Sequence, residues 1–183
     1  MLYIIAFLSF FSLNLSAAIM APPQIVASNI LTAANQTVQL QSPQLSGAVV
    51  IFMSAKCPCS NSHVEVVKKL SEQYKNFQFV AVHSNTDESK EDSETYFKKA
   101  QFSFPVLQDS DAKIADQFKA FKTPHAFVIN PKGEIVYQGG VTDSSHAPSA
   151  AKNYLADALA EVSQNKPVSV AQSRTLGCVI LRK

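Results

Sequence analysis

The sequence is poor in the residues from which several common functional sites are built. Its 16 Lys and Arg residues nearly balance 14 Asp and Glu residues, and they form no basic run, so nucleic-acid binding is not indicated. There are five glycines, and the pair Gly139-Gly140 is not followed by a helix start with the spacing of a phosphate-binding loop. Three cysteines allow at most one intramolecular disulfide and leave one thiol over.

The longest apolar run is too short to cross a membrane. Residues 2–15 are almost all apolar, whereas a membrane-spanning helix needs about 20 residues. Small residues follow at positions 16–18, an order typical of a signal peptide that is cleaved after Ala17 or Ala18. We therefore predict a signal peptide over residues 1–18 and a mature protein that is exported, periplasmic or extracellular, with no membrane contact after cleavage. An uncleaved anchor is the alternative, because no Lys or Arg precedes the run.

The rest of the chain has the length of one domain. Residues 19–36 are polar and are predicted to form an extended lead-in, residues 37–165 the folded domain, and residues 166–183 a tail that carries Cys178. Within the domain, apolar strands alternate with helical segments, and a β-hairpin with its turn at residues 130–133 precedes a last helix near residues 150–164. This order predicts an α/β fold with a central mixed β-sheet and helices on both faces.

The most informative stretch leads from a strand into a helix. The run of residues 48–53 is short, continuous and apolar, which is typical of a strand buried on both faces. Proline is favoured at the first helical position because its missing N–H would have no intrahelical partner there. Pro58 is therefore predicted to begin the helix, and Cys57 to be its N-cap residue.

This position has a chemical consequence for Cys57. A thiol at a helix N-terminus faces unpaired N–H groups and the positive end of the helix dipole, and Lys56 adds a positive charge. Both effects favour the thiolate, which is the nucleophile in disulfide exchange and in peroxide reduction. We therefore predict a nucleophilic Cys57; the alternative is a buried structural cysteine.

Residues 38–178 resemble the thioredoxin-like superfamily. Within it, they resemble the alkyl hydroperoxide reductase/thiol-specific antioxidant branch, also called redoxin or peroxiredoxin-like. The resemblance is carried by short motifs in a characteristic order: the strand into Cys57-Pro58-x-Ser60, Phe104-Pro105-Val106-Leu107-x-Asp109, Thr123-Pro124 before a strand, the hairpin Asn130-Pro131-x-Gly133-x-Ile135-Val136-Tyr137-x-Gly139, and Thr175-x-Gly177-Cys178. It implies a thioredoxin-like fold and an exported thiol–disulfide oxidoreductase. Its partners would be thiol- or disulfide-bearing protein substrates or reductants, and it would need no cofactor.

The resemblance also assigns the site. The predicted catalytic residues are Cys57, Cys59, Ser60, Thr123 and Pro124. By analogy with the family, the bond before Pro124 is expected to be cis and to leave a backbone edge free to pair with a substrate.

The sequence leaves the role of Cys178 open between two pairings. Apolar neighbours on both sides predict that the tail docks on the domain. A docked cysteine in an oxidising compartment tends to form a disulfide. Pairing with Cys59 would give a structural bond and leave Cys57 free, which we prefer. Pairing with Cys57 would make Cys178 a resolving thiol.

Three other functions stay open. A copper or zinc carrier would use Cys57, Cys59, His63 and His125 as ligands, since thiolates and imidazole suit these ions. A thiol-dependent peroxidase and a redox-inactive binding module are the other two.

The remaining titratable groups are predicted to be without a role in the site. If it is not a ligand, His63 is predicted to be a solvent-facing helix residue. His83 and His146 are predicted to have no role, and the acidic residues 87–94 to form a solvated helix start.

The sequence departs from the peroxidase pattern, and this predicts slow reaction with hydrogen peroxide. Val50 occupies the place where peroxiredoxins carry proline, Ser54 that of their threonine, and the chain has no tryptophan and no arginine outside the tail, where Arg174 and Arg182 lie. A site needs donors aimed at the developing charge to exceed the rate of an ordinary acidic thiol. Stopped-flow oxidation of the reduced protein should show such an ordinary rate. A rate comparable with that of a dedicated peroxidase under the same conditions would contradict the prediction.

Overall fold

The computed structural model describes residues 18–182. Within them it contains nine strands, four α-helices and one short 3-10 helix: β1 Gln24–Asn29, β2 Asn35–Gln39, β3 Gly47–Phe52, α1 Pro58–Gln73, β4 Phe77–His83, α2 Lys90–Ala100, β5 Val106–Gln108, α3 Lys113–Phe118, β6 Lys122–Thr123, β7 His125–Ile129, β8 Ile135–Gly139, the 3-10 helix Ala147–Ser149, α4 Tyr154–Ser163 and β9 Cys178–Val179. None of these helices is long and apolar enough to cross a bilayer. The predicted signal peptide lies, apart from Ala18, outside the described residues.

Seven strands form one mixed sheet in the order β2-β1-β5-β4-β3-β7-β8. Strands β3, β4 and β5 are parallel, whereas β1 and β7 run antiparallel to their neighbours in the sheet. Every residue of β3 is buried, because the strand has a neighbour on each edge and helices on each face. The predicted buried strand at residues 48–53 is therefore confirmed with a shift of one residue, since Met53 is buried but follows the end of β3.

Alternate side chains of β3 enter two separate cores. Val49 and Ile51 pack with apolar residues of α1, α2 and α4 on one face of the sheet. Val50 and Phe52 pack with those of α3 on the other face. Since successive side chains of a strand point to opposite faces, one continuous apolar strand supports both layers. The predicted mixed sheet with helices on both faces is confirmed.

The predicted polar lead-in, residues 19–36, is part of the sheet. It contains β1, which lies between β2 and β5. Of the three apolar residues in this strand, Ile25 is buried and Val26 is exposed, and Ala27 packs partly buried against the core, so only one large apolar side chain marks the inner face. The strand is held mainly by backbone pairing with β2 and β5, which the sequence does not reveal.

Two helices have ends that long-range or left-handed backbone contacts determine. Helix α3 ends at Phe118 because Lys119 adopts a left-handed conformation with φ of 54°. Phe121 is consequently outside the helix and 51% exposed. Helix α4 begins later than predicted because the Asp143 side chain accepts hydrogen bonds from the backbone N–H groups of Ala151 and Lys152.

The tail docks on the domain, as predicted. Strand β9 pairs antiparallel with β6, Ile180 is buried in the α3-side core, and the Arg182 guanidinium contacts Asp116 at 2.8 Å. A Cβ atom on Gly177 would lie 1.9 Å from the Thr123 carbonyl oxygen, so the close approach of the tail to this loop requires glycine.

Replacement of Ile180 by alanine should loosen the docked tail. The side chain is 2% exposed, and truncating a buried isoleucine costs about 3 kcal/mol of unfolding free energy. The neighbouring Val179 is 57% exposed, so Val179→Ala is the matched control and should cost less than about 0.5 kcal/mol. Urea unfolding monitored by circular dichroism measures both. Equal effects of the two substitutions would show that the tail does not contribute to the core.

Candidate active site

Cys57 lies where strand β3 has ended and helix α1 begins. It is the N-cap residue of α1, with φ of −81° and ψ of 113°, and Pro58 is the first helical residue. The Cys57 backbone N–H donates a 3.0 Å hydrogen bond to Ser54 Oγ. The residue is 2% exposed. Both local predictions, the N-cap position of Cys57 and the helix start at Pro58, are confirmed.

Hydrogen bonds make Cys57 the acidic thiol of the site. Burial of the sulfur raises the pKa of Cys57, but hydrogen bonds from the Cys178 thiol and from the backbone N–H groups of Ser60 and Cys178 outweigh it and lower the pKa to about 7. Lys56 is not among the groups that lower it. Its ammonium instead lies 3.7 Å from an Asp92 carboxylate oxygen.

The loop before β7 closes over this thiol. The Thr123–Pro124 peptide bond is cis, as the resemblance implies. In its protonated form the Cys57 thiol donates to the Thr123 carbonyl oxygen, with a sulfur–oxygen distance of 3.1 Å. The backbone edge expected to be free for a substrate is occupied, because Thr123 pairs with Cys178 in the β6–β9 ladder. The protein's own tail therefore lies at the edge predicted for substrates.

This pairing brings all three cysteines together. The sulfur atoms of Cys57, Cys59 and Cys178 all lie within 4.8 Å of one another, and all three are free thiols in the structure. Burial and the charge of Cys57 raise the pKa of Cys59. Burial and the hydrogen bond to Cys57 raise the pKa of Cys178. One acidic thiol is thus surrounded by two partly exposed thiols that stay protonated and can donate to it.

A buried carboxylate, which the sequence does not indicate, holds the loop in front of Cys57. The Glu88 side chain is 1% exposed and accepts hydrogen bonds from the Ser54 hydroxyl and from the Ala55 N–H at 2.7 Å. These contacts and the pairing with His83 lower the pKa of Glu88 although its burial acts to raise it. The prediction that residues 87–94 are a solvated helix start is wrong for Glu88.

His83 also has a role that the sequence does not show. Its Nε2 atom lies 3.0 Å from a Glu88 carboxylate oxygen, and its Nδ1 atom lies 3.0 Å from Gln108 Oε1. The prediction that His83 has no role is therefore wrong. His83 holds the Glu88 carboxylate, and Glu88 in turn holds the loop in front of Cys57. The contact with Gln108 joins neighbouring strands β4 and β5 and depends on their order in the sheet, whereas Glu88 lies five residues after His83, in the loop that follows β4.

The two histidines proposed as metal ligands are both buried. His63 is 1% exposed; its Nδ1 atom donates to the Cys59 carbonyl at 2.8 Å, and Nε2 lies 2.8 Å from Thr142 Oγ1. The prediction of a solvent-facing His63 is wrong, because α1 turns this side chain towards the loop after β8. His125 packs against Phe127, and burial lowers its pKa to about 4. Among residues 18–182, the metal-ligand cluster around Cys57 includes neither histidine.

Removal of the Glu88 carboxylate should destabilise the fold. Glu88→Ala would leave His83, the Ser54 hydroxyl and the Ala55 N–H without their buried partner, and each buried polar group left unsatisfied costs about 1–3 kcal/mol. Glu91, which is exposed in the first turn of α2, offers the control, and Glu91→Ala should cost less than about 1 kcal/mol. Urea unfolding compares the two variants. A Glu88→Ala variant as stable as Glu91→Ala would contradict the anchoring role.

The chain is similar in sequence to proteins named thiol-disulfide oxidoreductases. The chain is 30% identical over 115 residues to the thiol-disulfide oxidoreductase ResA of Bacillus subtilis strain 168; the match covers 58% of this chain and 61% of that protein. The chain therefore spans about three fifths of the length of this relative.

Solved structures share the fold. An uncharacterized conserved protein from Geobacillus kaustophilus superimposes with a TM-score of 0.79 at 23% identity, covering 91% of this chain and 92% of that one. A secreted Mycobacterium tuberculosis disulfide oxidoreductase superimposes with a TM-score of 0.51 at 19% identity, covering 60% and 78%. The fold is thus thioredoxin-like. The model of the AhpC/TSA family matches residues 21–138, which is more than half of the chain, and the chain therefore belongs to the AhpC/TSA family.

Proposed function

We propose that the protein is an exported thiol–disulfide oxidoreductase in which Cys57 is the nucleophile and Cys178 the resolving thiol. The observation that carries this proposal is the position of the Cys178 sulfur, which lies within 4.8 Å of the Cys57 sulfur at the start of α1. The β6–β9 pairing holds Cys178 there, beside a thiol whose pKa is lowered to about 7. The relative named thiol-disulfide oxidoreductase and the secreted disulfide oxidoreductase of the same fold support it.

The reaction proceeds by two exchanges at sulfur. The Cys57 thiolate attacks one sulfur of a substrate disulfide; a mixed disulfide forms and the other substrate sulfur leaves as a thiolate, which takes a proton. Cys178 then loses its proton and attacks the Cys57 sulfur, which releases the second substrate thiol and leaves a Cys57–Cys178 disulfide. An external thiol reductant restores both cysteines. Two electrons pass from the protein to the substrate, and no cofactor is required.

The neighbours of Cys57 have supporting roles. The Ser60 backbone N–H stabilises the thiolate, and the Thr123 carbonyl accepts a hydrogen bond from the protonated thiol. The Ser60 hydroxyl accepts a 3.2 Å hydrogen bond from the Ser54 N–H and so holds the loop. Pro124 sets the path of the backbone that carries Thr123. Cys59 is a second thiol within 4.8 Å of both partners. The pKa values of Cys59 and Cys178 are both raised, so the choice of Cys178 as the resolving thiol rests on the β6–β9 pairing, which sets it opposite Thr123 beside the Cys57 sulfur.

Export of the protein rests on the sequence. The apolar run at residues 2–15 followed by small residues is the supporting feature, and the odd number of cysteines suits a redox-active protein of an oxidising compartment. Its substrates would be disulfide-bearing proteins that reach that compartment.

Single-turnover experiments with cysteine variants test the assignment. Reduced protein is mixed with a disulfide-linked peptide without external thiol, and the products are identified by mass spectrometry. The wild type should release two peptide thiols and retain an internal disulfide. Cys57→Ser should react at least 100-fold more slowly, because it lacks the acidic thiol. Cys178→Ser should accumulate the mixed disulfide on Cys57, whereas Cys59→Ser should behave as the wild type.

The controls separate loss of chemistry from loss of folding. Each variant is compared with the wild type by circular dichroism and by its urea midpoint. Accumulation of the mixed disulfide in Cys59→Ser instead of Cys178→Ser would assign the resolving role to Cys59. A wild-type protein that is folded and reduced but releases no peptide thiol would contradict the proposal and favour a redox-inactive binding module.

A further inference from the structure

The three cysteine sulfurs form a cluster that thiol exchange alone does not require, since two thiols suffice for that reaction. They come from three places in the fold: the N-cap of α1, its first turn, and strand β9 of the tail. All three Sγ atoms lie within 4.8 Å of one another. Three converging thiols are a donor set for a soft metal ion.

The spacing suits one metal ion at the centre of the three sulfurs. A metal–sulfur distance of about 2.3 Å places three sulfurs in trigonal coordination about 4.0 Å apart. The observed sulfurs lie within 4.8 Å of one another, so side-chain rotations of a few tenths of an ångström reach this geometry.

The number of ligands favours Cu(I) over Zn²⁺. Thiolates select Cu(I) and Zn²⁺ among common ions, but structural Zn²⁺ sites almost always have four protein ligands. Within residues 18–182 this cluster contains three cysteines and no fourth ligand. Both ring nitrogens of His63 are already engaged, by the Cys59 carbonyl and by Thr142. Three thiolates without a fourth ligand complete the coordination of Cu(I).

The surroundings also suit a negatively charged metal–thiolate centre. Cys57 is the N-cap residue of α1, where the positive end of the helix dipole stabilises negative charge. The tail segment that carries Cys178 is held on both sides, by pairing with β6 and by hydrogen bonds from Thr86 N–H and Oγ to the Leu181 carbonyl. The site is therefore pre-organised by the fold.

We propose that Cys57, Cys59 and Cys178 together bind one Cu(I) ion in trigonal thiolate coordination. Binding replaces thiol protons, which are released to solvent, and the copper stays in the +1 state, so no oxidant or reductant is consumed. The proposal does not rest on disulfide exchange, but the two uses of the sulfurs exclude each other: a metal-bound Cys57 is not a free nucleophile. This ligand set differs from the one that the sequence suggested, because Cys178 takes the place of His63 and His125.

Anaerobic Cu(I) titration of the reduced full-length protein tests the site, with bicinchoninate as the competing chelator. One equivalent should bind, and X-ray absorption should show three sulfur ligands at about 2.3 Å. Cys178→Ser should lower the affinity at least 100-fold. His63→Gln and His125→Phe remove the imidazoles of the alternative ligand set and should leave the affinity within threefold of the wild type, as should His146→Ala.

The outcomes separate the alternatives. Unchanged affinity in a folded Cys178→Ser variant, or loss of copper in His63→Gln or His125→Phe, would overturn the proposal. If the protein binds one Zn²⁺ ion that Cu(I) does not measurably displace, the proposal is also overturned. If Cys178→Ser does not fold, the X-ray absorption spectrum of the copper-bound wild type decides. Three sulfur ligands to copper support the site, and two sulfur ligands or any nitrogen ligand contradict it. Peptide-disulfide turnover by the metal-free protein is measured separately, so a failed copper site leaves the exchange reaction tested on its own.

Discussion

The site depends on the pairing of the last strand with the loop before β7. The β6–β9 ladder sets Cys178 opposite Thr123, whose carbonyl contacts the Cys57 sulfur. Two of the groups that lower the pKa of Cys57, the Cys178 thiol and its backbone N–H, belong to the tail. A helix N-terminus alone would give a moderately acidic thiol; the docked tail adds the hydrogen-bond donors and the second sulfur.

The same pairing determines what can reach Cys57. The tail lies along the backbone edge predicted for substrates, and Cys57 is buried while Cys59 and Cys178 are partly exposed. A substrate strand that used this edge would have to displace β9, which is held by a buried isoleucine and by an ion pair from Arg182. The proposed exchange reaction and the proposed copper site therefore both require the docked state, in which the three sulfurs converge.

Sequence reasoning predicted the features that depend on neighbours along the chain. The apolar run of β3, the start of α1 at Pro58 and the N-cap position of Cys57 follow from local chemistry, and the family resemblance supplied the cis bond before Pro124. Sequence reasoning missed strand β1, the buried Glu88 and the buried His63, because each depends on contacts between residues distant in sequence. Glu88 is one carboxylate in an acidic stretch, and nothing local distinguishes it from its exposed neighbours.

The pH dependence of Cys57 alkylation tests the central claim, that the docked tail makes Cys57 acidic, most directly. Iodoacetamide reacts with the thiolate, so the rate rises with pH through the pKa, and the wild-type midpoint should lie at about 7. Cys178→Ser keeps a side-chain hydrogen-bond donor to Cys57, whereas Cys178→Ala removes it. The pH midpoint of Cys57 alkylation should therefore be higher in Cys178→Ala than in Cys178→Ser. A wild-type midpoint at or above the free-thiol value of about 8.5, or equal midpoints in the two variants, would contradict the account.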